Sequence, residues 1–152
     1  MSANETIGQL DPKKIHLLDF HIVKGQIDSP LDFDSSGIDG YNSTCDFELG
    51  FSMSENLVKA DFKASVKTTS GDKNGIEAAG LFHFVYVFRV ENLNELVQQG
   101  EDKKLTINGG LGNALASITY STSRGVLMTR FQGTELKDFI LPVINPNDLL
   151  SK

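Results

Sequence analysis

Hydrophobic and polar positions alternate with a period of two through much of the first half of this chain. In the second half they recur at helical spacing in one long stretch. Cys45, Phe47, Leu49, Phe51 and Met53 alternate with Asp46, Glu48, Gly50 and Ser52, the pattern of a half-buried antiparallel strand. Ser54-Glu55-Asn56 turns the chain. Val58, Ala60, Phe62, Ala64 and Val66 then alternate with Lys59, Asp61, Lys63, Ser65 and Lys67, which predicts a second strand and a hairpin. Upstream, residues 15–27 read as a strand with Leu18, Phe20 and Ile22 set between Asp19 and His21; Gly25 marks a bulge or bend and Pro30 the end. Downstream, residues 76–90 place Phe82, Phe84, Tyr86, Phe88 and Val90 on one side. Leu81, His83, Val85, Val87 and Arg89 lie on the other, so this strand is expected to be covered on both faces for part of its length.

Between the first two strands, residues 28–44 form a connection rich in Asp, Ser and Gly that carries Leu31, Phe33, Ile38 and Tyr41 at irregular spacing. Loops of that length are uncommon in compact domains and often functional, so these groups either bind something or tack the loop to the sheet. Residues 69–75 read as a turn, and residues 92–110 as a polar linker with a short helical turn in its first half. Asn108 is placed to start a helix of about six turns from Leu111 to Gly133, with Gly133 at its end. Leu111, Ala114, Leu115, Ile118, Thr122 and Gly125 share one face of that helix; Tyr120, Leu127 and Phe131 lie almost opposite. Two apolar faces imply cover on two sides. The chain's own sheet can supply one, and either a deeper monomeric core or a second copy the other. The run FILPVINP follows, with Asn145-Pro146 suited to begin a last helical turn. The expected class is α+β: a four-stranded antiparallel sheet followed by one long helix and a short C-terminal helical turn.

At 152 residues the chain is read as a polar, loose arm over residues 1–14 and a single domain over 15–152. A net charge of −6 argues against nucleic acid or an anionic membrane as the main partner. One cysteine, Cys45, precludes an internal disulfide and fits a reducing compartment. No signal peptide is evident and no window approaches 18 apolar residues, so membrane insertion is not expected and the expected address is the cytoplasm. Catalytic signals are weak. His16 and His21 stand five apart on one strand, which would send them to opposite faces; His83 sits in a Phe-rich strand. No Cys or His-Glu pair has metal-ligand spacing, Gly109-Gly110-Leu111-Gly112 lacks a Walker lysine, and Asp32 and Asp34 lack calcium-loop spacing. No enzyme activity, metal or cofactor is expected.

Three short motifs stand in a telling order: Asp28-Ser29-Pro30 after the first strand, Tyr120 inside the long helix, and Leu141-Pro142-Val143 followed by Asn147 and Leu149. With the order of elements, they make the chain from Ile15 to Leu150 resemble the SecB family of export chaperones. That resemblance implies an ATP-independent holdase that keeps unfolded preproteins export-competent. It also implies a dimer of dimers with the long helices between sheets joined edge to edge. By position it places Leu31, Phe33, Tyr41, Phe47, Phe51, Leu149 and Leu150 in an apolar client groove, and Tyr120, Leu127 and Phe131 between subunits. Two features depart from the family. Only about one helical turn follows Pro146, where the family has several. The exposed strand faces mix Asp46, Glu48 and Asp61 with Lys59, Lys63 and Lys67, which argues against docking to the SecA motor through an acidic face. Some SecB-like proteins guard the antitoxin of a toxin–antitoxin pair, and the resemblance carries that role as the alternative to export. A non-catalytic module binding one small apolar ligand is the remaining alternative, distinguished from a holdase by hiding its apolar groups.

Overall fold

The computed structural model of the chain describes residues 9–71 and 75–150. A 3-10 turn at Pro12–Lys14, capped by the Asp11 carboxylate on the Lys13 amide, leads into β1 (Ile15–Asp28). β2 (Ile38–Ser52), β3 (Leu57–Ser70) and β4 (Ala79–Val90) complete one antiparallel sheet in the order β1-β4-β3-β2. The connection after β1 therefore crosses the whole sheet, from one edge to the other. Next come a single helical turn, α1 (Leu93–Leu96), and a small hairpin of β5 (Val97–Gln99) and β6 (Leu105–Ile107). The long helix α2 (Gly109–Arg130) follows, then an extended tail and α3 (Asn147–Leu150). This is the α+β architecture read from the pattern. Of the N-terminal arm, residues 1–8 lie outside the described residues.

The elements are longer than the alternation alone marks. β2 begins at Ile38, because Tyr41 to Thr44 pair with Thr68 to Ser65 of β3. Asp39, Gly40 and Asn42 are poor strand formers, and pairing with a long neighbour overrides that preference. Tyr41 thus belongs to a strand and not to the loop. In the linker, Leu93, Leu96 and Val97 are buried, so it is a packed connection. β1 bulges twice, between Leu17 and Asp19 and between Ile22 and Lys24. The first bulge restores phase, setting both His16 and His21 on the outer face, opposite Arg89 and Val85. The expectation that they point to opposite faces is thereby corrected. At Gly25 a Cβ would lie 3.0 Å from the Phe82 ring, so that ring covers the bare backbone beside the second bulge.

α2 buries Leu111, Gly112, Leu115, Ala116, Thr119, Tyr120, Ser123 and Leu127. At about 100° per residue these form one band covering roughly half the helix circumference. The two stripes seen in the sequence are its rims, Leu111 with Leu115 on one side and Tyr120 with Leu127 on the other. Small residues run along the middle and let the helix sit close to the sheet. There Tyr86 and Ser123 share a buried hydroxyl–hydroxyl hydrogen bond of 2.7 Å. Phe62, Phe84 and Tyr86 meet the band from below. Burial raises the Tyr86 hydroxyl pKa above its usual value, against the opposing pull of its bond to Ser123. After α2 the chain folds back so tightly that a Cβ at Gly80 would lie 2.9 Å from Leu136.

The β3–β4 end is clamped by Glu77. Its carboxylate accepts from the Thr68 hydroxyl at 2.7 Å, the Ser70 hydroxyl at 2.8 Å and the Ser70 amide at 3.0 Å. These bonds, the Thr68 hydroxyl foremost, hold its pKa below 4.5. A carboxylate with a depressed folded pKa stabilises above its unfolded pKa, and the contribution fades as pH falls through the folded one. Glu77→Gln should therefore melt below the parent chain at pH 7, with the gap narrowing as thermal scans move below pH 4.5.

Candidate polypeptide-binding face

At the β2 edge the inner sheet face is incompletely covered. Tyr41, Cys45, Phe47, Leu49 and Phe51 are half-buried there, whereas the matching positions of β3, from Val58 to Val66, are buried. The Tyr41 ring packs 5.2 Å from Phe139, and burial, helped by nearby Asp138, raises its pKa. On the connection after β1, Leu31 is 99% exposed while Phe33 is half-buried against the core. Of the two readings of this loop, the structure supports tacking for Phe33 and leaves Leu31 exposed to solvent.

The tail forms the other wall. The Tyr120 hydroxyl donates to the Pro142 carbonyl, and the Asn113 amide donates to Asn147 Oδ1 at 3.1 Å. Burial pushes the Tyr120 pKa up to about 12, with the Cys45 thiol adding to the rise and Arg124 opposing it, so the hydroxyl keeps its proton and its bond. Leu141 is buried, and Ile140 and Val143 point into solvent at 49% and 82% exposure. α3 packs on α2 and β2. Leu149 is consequently only 5% exposed and Leu150 is half-buried against Gly112. Placing Leu149 in an open groove needs correction, because the packing of α3 on α2 and β2 buries it in the core; Ile140 and Val143, not singled out from the sequence, are the exposed tail groups.

The expected subunit contacts need a similar correction. Tyr120, Leu127 and Phe131 are 7%, 3% and 1% exposed within a single chain. Phe131 is enclosed by Phe82 and Phe139 at centroid distances of 5.7 and 6.2 Å, and Tyr120 meets Phe62 edge-on at 5.9 Å. A helix rim that closes its own core has nothing left to offer a partner. The outward side of α2 carries Ala114, Ser117, Ile118, Ser121, Gly125 and Met128, with half-buried Arg124 beside Ser117 at its margin.

The outer face of the sheet holds the histidines. Each meets one carboxylate: His16 with Glu91 at 2.6 Å, His21 with Asp19 at 2.9 Å, and His83 with Asp61 at 2.7 Å. They are spread along the face, and among the described residues no group of three His, Cys, Asp or Glu side chains could hold a metal ion. Lys59 lies 3.5 Å from Asp61, so acids and bases are intermixed. No helix among the described residues is long and apolar enough to cross a membrane.

No family model and no curated protein sequence matches the chain. A solved structure does: the Mycobacterium tuberculosis Rv1957 SecB-like chaperone in complex with a ChAD peptide from the Rv1956 HigA1 antitoxin. The similarity covers 87% of this chain and 91% of that one, with a TM-score of 0.57 at 10% sequence identity. At that identity the likeness is one of fold, and the fold of this chain is SecB-like.

Proposed function

We propose that this protein is an ATP-independent holdase chaperone that binds unfolded polypeptide along the β2 edge and the adjoining tail. The observation that carries the reading is the half-buried row Tyr41, Cys45, Phe47, Leu49 and Phe51, together with exposed Leu31 on the connection after β1 and exposed Val143 on the tail. Apolar side chains of a client leaving water against such a row contribute roughly 25 cal/mol per Å² whatever their order, so binding follows unfoldedness more than sequence. The outer side of α2, made mostly of small uncharged residues, supports assembly of copies through that face, toward the homotetramer of the SecB-like pattern. Mixed charge on the outer sheet face speaks against motor docking. The peptide in the similar structure, from an antitoxin, supports a second reading in which the client is an antitoxin. Holding clients for export and guarding an antitoxin use the same surface and differ in the client alone.

The test is native mass spectrometry of the purified protein, alone and with an excess of reduced, unfolded client, beside an aggregation assay of that client. A tetramer that gains one client chain and suppresses aggregation without ATP is the expected result. A monomer or dimer that ignores the client would overturn the holdase reading and leave a closed, small-ligand module.

A further inference from the structure

The tail side of α2 holds a cation that the fold leaves unanswered. Asn113, Tyr120 and Arg124 run along one side of the helix, at i, i+7 and i+11. The first two hold the tail: the Asn113 amide donates to Asn147, and the Tyr120 hydroxyl donates to the Pro142 carbonyl. The tail therefore runs antiparallel to α2, and Arg124, one turn beyond Tyr120, lies alongside the residues that precede Pro142. Its charge acts on the Tyr120 hydroxyl, opposing the effects of burial and of the Cys45 thiol. The same stretch of tail carries exposed Ile140 and Val143 on either side of buried Leu141.

Arg124 is half-buried, and its Nε is sealed from solvent with no acceptor among the described residues. Buried N–H groups without a partner are uncommon in folded chains, and the edge of a guanidinium is a two-pronged donor shaped for one carboxylate. α2 offers no acid to answer it, since Arg124 and Arg130 are its only ionised side chains. The ion pairs of the described residues lie on the outer sheet face and leave Arg124 out. Asp138, on the tail, acts on Tyr41 instead. With nothing bonded at Nε, the side chain is free to turn that edge to the surface. A partly buried cation without a counter-charge is unfavourable, and a carboxylate from outside the chain removes that cost.

We propose that Arg124 is a carboxylate receptor for bound polypeptide, taking an acidic side chain whose apolar neighbour rests on Ile140 or Val143. A polypeptide suits the place better than a free inorganic anion, because the cation stands beside exposed apolar groups that a small anion would leave bare. The chain as a whole has a net charge of −6 and repels acidic segments elsewhere, so the contact selects where such a segment sits. This rests on the polypeptide-binding reading above and goes beyond it by assigning a charge preference to a residue off the sheet.

Fluorescence anisotropy on the full chain tests it, with a labelled peptide whose glutamate is set among leucine and valine. Its ends are acetylated and amidated, so that the glutamate is its one carboxylate. The protein should bind this peptide about tenfold more tightly than the analogue carrying glutamine. Arg124→Gln should bind the two alike, at the level of the glutamine peptide, and Arg124→Glu should prefer a lysine analogue. Because Nε has no partner to lose, the melting temperature of Arg124→Gln should be nearly unchanged. Inorganic phosphate, added as competitor, is the arm for a free anion. Competition by phosphate with no difference between the two peptides would overturn the proposal. So would an equal glutamate preference in Arg124→Gln, or a lowered melting temperature with both peptides weakened alike, which would make Arg124 a packing residue. Failure of the protein to bind either peptide overturns it as well. If aggregation of reduced client is still suppressed in such a case, the holdase reading stands and the receptor alone fails.

Discussion

Leu127→Asp is expected to unfold the chain, not merely to separate subunits. Leu127 is 3% exposed at the rim of the band that α2 lays on the sheet. Removing a buried leucine costs roughly 2–5 kcal/mol. Leaving an unpaired carboxylate in its place adds several more. Together these consume most or all of a typical domain stability of about 5–15 kcal/mol. Circular dichroism should show loss of the cooperative transition, and size exclusion an expanded or aggregated chain. Met128, the next residue along the helix, is 40% exposed on the outer side. Met128→Asp should leave the spectrum and melting temperature nearly unchanged while lowering the native mass if that side joins copies. A well-folded Leu127→Asp protein with altered mass would instead return Leu127 to a subunit interface and refute its place in the core.

The second large effect concerns function. Phe51→Asp should weaken capture of unfolded client by about tenfold or more, since losing one aromatic contact removes about 1.5–3 kcal/mol of apolar burial. Phe51 is half-buried at the β2 edge, so the chain should remain folded with a modest loss of stability. Leu31→Asp is the cleaner partner experiment. Leu31 is 99% exposed and contributes nothing to the core, so any drop in client capture comes without a change in melting temperature. Anisotropy with a labelled, reduced client measures both. Full capture by both variants would mean that clients bind elsewhere.

Much of the sheet was legible because burial on one face of a strand writes itself as alternation. Phe47 and Phe51 on β2, and Phe82 to Phe88 on β4, lie on the inner face as their period implied. The strand ends were less legible, since Gly40 and Asn42 join β2 through pairing with β3, which local preference does not encode. The histidines show how one residue changes a face. His16 and His21 are an odd number of positions apart, and a bulge puts them on the same side. At the candidate site, Leu31 and the β2 row could be named from the sequence. Leu149 could not be placed, because whether a leucine after a proline is open or covered depends on where the tail lands.

By itself, the sequence determined the class of this protein: its four strands, its long helix capped by Asn108, and the motifs that place it beside the SecB-like fold. Those features rest on contacts between near neighbours, where period and capping chemistry decide. Only the tertiary structure decided which helix side closes the core, which strand edge stays open, and that Tyr120 ties the tail across α2 through Pro142. Such outcomes turn on contacts between distant segments. Two apolar stripes on a helix look alike in sequence whether they face two partners or form the two rims of one.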